Sequence, residues 1–152
     1  MFRLSPMSLE EARSILSWHY PEPYDFYDPA TPPEDAELLL DEAYRKEHLM
    51  TARDESGLLR GFFEFHSEGG VVEVGLGLRP VDTGRGLGDT FLAEGLDYAR
   101  ARFHPHTFRL FVATFNQRAI KVYERAGFQE VERQWRNLLG QRWEFLEMRR
   151  DD

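Results

Sequence analysis

The chain has 152 residues, 19 of them basic and 27 acidic, for a formal charge of −8. An apolar fraction of 41% with 14% aromatics is enough to build a core, which excludes a wholly disordered chain. The lack of cysteine excludes disulfides, a thiol nucleophile and cysteine zinc sites, and the acidic balance speaks against nucleic acid as the main partner.

Ser8 suits an N-cap and Glu11 stands three residues on as its capping-box partner, so a first helix begins there, with Leu9, Ala12, Ile15 and Leu16 on one face. Residues 18–29 gather Trp18, Tyr20, Tyr24, Phe26 and Tyr27 with Glu22, Asp25 and Asp28, and their prolines forbid a regular helix. A second helix starts near Pro33, with Glu34 and Asp35 at its positive end and Ala36, Leu39, Leu40 and Ala43 as its apolar stripe. Strands at 48–53 and 58–66 flank the turn 54–57 and predict a hairpin. Gly69 and Gly70 turn into a third strand at 71–78.

A long helix follows a glycine-rich turn, with Leu87, Phe91, Leu92, Leu96, Ala99 and Phe103 on one stripe. His104, Pro105 and His106 break it, and without accompanying carboxylates they read as a surface turn, so no metal site is expected. A strand at 108–113 leads to a short helix capped by Asn116 and stopped by Gly127. The last two strands are expected at 128–135 and 143–149; their arginines alternate with glutamates, as on a solvated face. No linker interrupts the pattern, so residues 1–152 are expected to form one α/β domain. No apolar run approaches the ~18–20 residues of a membrane span, and no secretory signal is visible, so the expectation is a cytoplasmic protein without a membrane partner.

Gly84, Gly86 and Gly88 lie between a strand and a helix. Glycine there lets backbone N–H groups close on an anion, and the helix start adds unpaired N–H groups and the positive dipole end. The Rossmann pattern fails because position 89 is Asp, and no Gly-Lys-Ser/Thr is present for a P-loop. A tight turn with glycines for geometry alone is the other possibility.

The run Leu76-Gly77-Leu78-Arg79-Pro80, then Thr83-Gly84-Arg85-Gly86-Leu87-Gly88, resembles motif A of the GNAT superfamily of acetyltransferases. Asn116, Ala119, Tyr123, Glu124, Gly127 and Phe128 match that family's second signature, about 30 residues downstream. The resemblance spans residues 45–149 and implies an α/β (α+β) fold: a mixed central sheet of about six to seven strands with a splayed centre, flanked by about four helices. It implies acetyl-CoA as co-substrate, with the pyrophosphate on the amides of Thr83, Gly84, Arg85, Gly86, Leu87 and Gly88. The pantetheine arm would pair with the backbone of Leu76 and Leu78 as an added strand, with a hydrogen bond from Asn116. One departure stands out: the motif opens with Gln or Arg in the family and with Thr83 here.

The implied reaction is acetyl transfer to a primary amine, on a small molecule or a peptide, by direct attack. Tyr123, seven residues after Asn116, would protonate the leaving thiolate, and a strand amide would polarise the carbonyl. Glu73, Glu64 and His66 are candidates for the base, with Glu73 nearest to the position some family members use. Asn116 as a plain N-cap and Tyr123 as core packing stay open. The aromatic loop at 18–29 either meets a cationic amine or is pinned against the sheet. A noncatalytic acyl-CoA-binding domain is the alternative, and pairing through the last strands would make a homodimer.

Overall fold

Buried and exposed residues alternate along the strands, and that alternation fixes which face of the sheet each side chain meets. The computed structural model describes residues 1–152. Its elements in chain order are β1 (Arg3–Pro6), α1 (Leu9–Leu16), α2 (Pro33–Leu40), α3 (Glu42–His48), β2 (Leu49–Arg53), β3 (Leu59–Glu68) and β4 (Val71–Leu78). There follow α4 (Gly88–Phe103), β5 (Thr107–Ala113), α5 (Gln117–Arg125), β6 (Gln129–Leu138) and β7 (Gln141–Asp151). Single turns of 3-10 helix cover Tyr24–Tyr27 and Pro80–Asp82. No helix is long and apolar enough to cross a membrane.

The seven strands form one sheet in the order β1-β2-β3-β4-β5-β7-β6. Only β4 and β5 run parallel, joined by α4 as a crossover; all other neighbours are antiparallel. α4 and α5 cover one face, where Phe63, Phe65, Val72, Val74, Phe91, Leu92, Phe108, Leu110, Ile120 and Met148 share the main core. On the other face Ala12, Ile15, Trp18, Leu39 and Leu49 form a smaller cluster under α1 and α2. A third group, Phe26, Ala113 and Phe145, lies under the 24–27 turn.

Two elements depart from the sequence expectation. β1 was not foreseen: it is four residues long and pairs with β2 from Arg3↔Arg53 to Pro6↔Met50. The helix expected from Pro33 to about Ala43 is two helices, because the Asp41 side chain accepts from the Tyr44 N–H and caps α3. Asp41 takes extended backbone there, with ψ 119°, which ends α2. The structure therefore holds five α-helices rather than four, and His48 closes α3 instead of opening a strand. His106 packs against Gly70, where an added Cβ would run into its ring.

Candidate active site

The parallel pair β4–β5 is short. Val71, Val72 and Glu73 face Thr107, Phe108 and Arg109, and beyond that point the two strands part. The second half of β4, Val74–Leu78, keeps its pairing with β3 but has no partner on its other side. The Arg79 N–H donates to the Arg60 carbonyl at 2.7 Å, which sets the hydrogen-bonding alternation along β3–β4. In that alternation the polar groups of Gly75 and Gly77 face β3, while those of Leu76 and Leu78 face the gap. The expected strand-like docking edge at Leu76 and Leu78 is thus exposed, with one exception: the Leu78 carbonyl already accepts from the Tyr20 hydroxyl at 2.6 Å.

The glycine turn begins where β4 ends. Gly84 and Gly86 have φ of +72° and +77°, left-handed backbone that a side chain strains. The amides of Gly84, Arg85, Gly86 and Leu87 donate to nothing within the chain, and α4 has no side-chain cap. Thr83 differs from the expectation: its N–H donates to the Pro80 carbonyl at 3.2 Å and its hydroxyl to the same oxygen at 2.8 Å. Thr83 therefore closes the preceding turn and its amide is not free. Gly88 serves contact between helices, since an added Cβ would stand 3.0 Å from Val122.

Asp82 fastens this turn to the sheet. It is 1% exposed and accepts from Arg60 (2.8 and 3.1 Å) and Arg79 (3.0 and 3.3 Å). Burial pushes its pKa up, but the bonds and charges of Arg79 and Arg60 outweigh that and hold the carboxyl below its ordinary value.

One basic side chain at the turn was missed in the sequence. Arg118, in the first turn of α5, places Nη1 3.1 Å from the site a Cβ on Gly84 would occupy. The close packing of Gly88 on Val122 brings the two helix starts together, and the spacing from Asn116 to Arg118 was the signal available.

The far wall of the gap is built by α5 and β5. Asn116 caps α5 as expected, its Oδ1 accepting from the Ala119 N–H at 3.2 Å, while its Nδ2 donates to the Tyr27 hydroxyl at 3.4 Å. The Ala113 N–H also donates to Tyr27, at 3.1 Å. Tyr123 is 9% exposed and belongs to the main core, yet its hydroxyl has no hydrogen-bond partner in the chain. Burial, and then the neighbouring Tyr27 hydroxyl, push its pKa above the ordinary tyrosine value. It is therefore a protonated O–H donor at neutral pH.

On the open face of the sheet, Glu73 lies in the last paired position and its Oε1 accepts from Arg109 Nη2 at 2.9 Å. Glu64 and His66 lie beside it on β3, bonded to each other at 2.7 Å and to Tyr44 at 2.6 and 3.1 Å. The aromatic loop is pinned against the sheet: Phe26 stacks on Trp143 at 4.6 Å, Tyr24 lies 5.7 Å from Phe115, and Asp28 accepts from His19 and the Tyr20 N–H.

A family model described as an acetyltransferase (GNAT) domain matches residues 2–129. The chain belongs to the GNAT acetyltransferase family. The mycothiol acetyltransferase of Clavibacter sepedonicus is 41% identical to this GNAT chain over 84 residues, 55% of the chain and 27% of that protein. The chain thus spans about a quarter of the length of the mycothiol acetyltransferases it matches. The spermidine N(1)-acetyltransferase of Vibrio cholerae is 27% identical over 132 residues, 81% of the chain and 70% of the relative. Among solved structures, mutant forms of the Vibrio cholerae spermidine/spermine N-acetyltransferase share the fold with a TM-score of 0.75 at 21% identity, covering 99% and 95% of the two chains. A GNAT-family acetyltransferase from Bacillus anthracis does so with 0.75 at 12% identity, covering 99% and 94%.

Proposed function

We propose that this GNAT domain transfers an acetyl group from acetyl-CoA to a primary amine. The observation that carries the proposal is the parting of β4 from β5 directly beside four unpartnered amides, Gly84–Leu87. An open strand edge next to an anion cradle suits a ligand that is an amide-bearing arm at one end and a diphosphate at the other. Bound there, acetyl-CoA supplies an activated thioester.

The chain's own groups divide the remaining tasks. The amides of Gly84, Arg85, Gly86 and Leu87 hold the diphosphate, with Gly88 keeping the helix starts close. The N–H of Leu76 or Leu78 pairs with the arm. The second Nδ2 proton of Asn116 is available to it, since Asn116 has only one bond from that atom, to Tyr27. Tyr123 is the general acid for the leaving thiolate: its hydroxyl is protonated and has no partner within the chain. Glu73 and Glu64 are the carboxylates facing the incoming amine. The acceptor is a small-molecule amine, in keeping with the spermidine and mycothiol acetyltransferases among the relatives.

Thiol release from acetyl-CoA over a panel of amines, with calorimetry of coenzyme A binding, tests this. Turnover with at least one amine and a measurable heat are expected. Heat without turnover assigns the chain to noncatalytic acyl-CoA binding; the free Tyr123 hydroxyl favours the enzyme. No heat at millimolar coenzyme A removes both.

A further inference from the structure

Glu64 on β3 lies opposite β4 just beyond the point where β5 leaves it. Glu64 pairs with Gly75, two residues past the last β4–β5 pair. A Cβ on Gly75 would sit 3.5 Å from the Glu64 Cβ, so glycine there leaves the β4 position opposite Glu64 without a side chain. Glu64 Oε2 accepts from Tyr44 at 2.6 Å and from His66 Nε2 at 2.7 Å. Its Oε1 has no partner within the chain, and the side chain is 31% exposed. His66 is itself held in place: its ring stacks on His48 at 4.0 Å, and His48 Nδ1 donates to the Phe65 carbonyl at 2.9 Å.

The arrangement is a carboxylate with one oxygen fixed and the other without a partner in the chain. Its charged and titratable neighbours come from each packed element: His66 on β3, Glu73 on β4 with Arg109 on β5, Tyr44 and His48 on α3, and Asp35 on α2. Burial, then the charges of Glu64 and Glu34, raise the pKa of Asp35, which places Asp35 within electrostatic reach of Glu64. Glu73 differs in kind. It lies where the strands are still paired, and Arg109 engages its carboxylate.

Building on the acetyl-transfer reading above, we propose that Glu64 is the catalytic proton acceptor for the incoming amine, with His66 and Tyr44 as positioning residues. The ammonium form of the amine gives one proton to Glu64 Oε1, and the carboxyl, 31% exposed, passes it to water. The nitrogen lone pair then forms the C–N bond to the acetyl carbon as the C–S bond breaks. The sulfur takes the Tyr123 proton, and the second nitrogen proton returns to Tyr123 through water. The sum is one amide, one thiol and one released proton.

Glu64→Gln should lower kcat/KM for ethylamine about 100-fold, the scale of a lost general base, and leave coenzyme A affinity by calorimetry unchanged. The loss should shrink along ethylamine, glycinamide and aminoacetonitrile, because the least basic amine is already neutral. Glu64→Asp should recover part of the rate, and Tyr44→Phe should lower kcat while preserving the trend with basicity. His66→Gln should likewise lower kcat while preserving the trend and leaving coenzyme A affinity unchanged. An unchanged rate in Glu64→Gln, an equal loss for every amine, or the basicity trend appearing in Glu73→Gln instead would each overturn the assignment. A wild-type protein that binds coenzyme A but turns over no amine would overturn the acetyl-transfer reading beneath it, and the proton-acceptor role with it.

Discussion

Arg118 holds its guanidinium carbon 4.6 Å from the ring centroid of Tyr24 while its Nη1 reaches the glycine turn at Gly84. One exposed side chain thus joins the aromatic loop to the candidate anion cradle. It also supplies a positive charge where the family's opening Gln or Arg is replaced by Thr83, in a chain of net charge −8.

Arg118→Ala should therefore weaken coenzyme A binding about 5- to 10-fold, the worth of one charge-assisted contact at an exposed site. Calorimetry at two salt concentrations should show a smaller salt dependence than the wild type, because one screened attraction is gone. Repeating it with dephospho-coenzyme A tells which phosphate is met: an equal loss with both ligands points to the diphosphate. An unchanged affinity would leave Arg118 as packing for Tyr24 alone.

Gly86→Ala separates conformation from space. Nothing lies within 4 Å of the added Cβ, so no packing is disturbed, but φ of +77° becomes strained by about 1–2 kcal/mol. The turn relaxes by reorienting its amides, and coenzyme A affinity should fall about 10-fold while the melting temperature moves little. Thr83→Ala should do much less to affinity, since the Thr83 amide is already spent on the Pro80 carbonyl. A Thr83 effect as large as that of Gly86 would show that the cradle begins one residue earlier.

The contrast between Thr83 and Gly86 shows where the sequence was legible. β4, α4 and α5 follow from local pattern: alternation, an apolar stripe, and Asn116 as a cap, and each was found nearly to the residue. The glycine turn was legible as a turn because left-handed backbone has a residue signature. β1 was not, since a four-residue edge strand carries no period and is defined only by its partner β2, some 46 residues away. The split at Asp41 was a local competition that apolar spacing hides. The contacts of Tyr27 with Ala113 and Asn116, and of Tyr20 with Leu78, join residues 58 to 89 apart, and nothing local announces them.

Tyr123→Phe should lower kcat by about 100-fold or more if its hydroxyl protonates the thiolate, with coenzyme A affinity unchanged. Stability should hold or rise slightly, because the lost hydroxyl had no partner in the chain and its removal leaves no donor or acceptor orphaned. Thermal melts and steady-state kinetics on the same preparation check both. An unaltered kcat would leave Tyr123 to its packing against Phe128, 6.2 Å away between ring centroids.

Asp82→Asn tests the anchor under the turn. Removing the charge leaves Arg60 and Arg79 facing a neutral group in a nearly dry site, a loss of about 3 kcal/mol, or a melting temperature lower by about 10 °C at pH 7. The pH dependence has a definite sign. The folded-state pKa of Asp82 is held below its unfolded value, so its contribution is complete above an unfolded pKa of about 4 and disappears as pH falls through the lower folded value. The stability gap between wild type and variant should therefore be constant from pH 7 to about 5 and close at lower pH. Because Arg79 also continues the β3–β4 ladder into the turn, the variant should bind coenzyme A more weakly even where it is fully folded. A gap that widened on acidification would mean that Asp82 is carried neutral in the fold, and that the two arginines hold the glycine turn by other means.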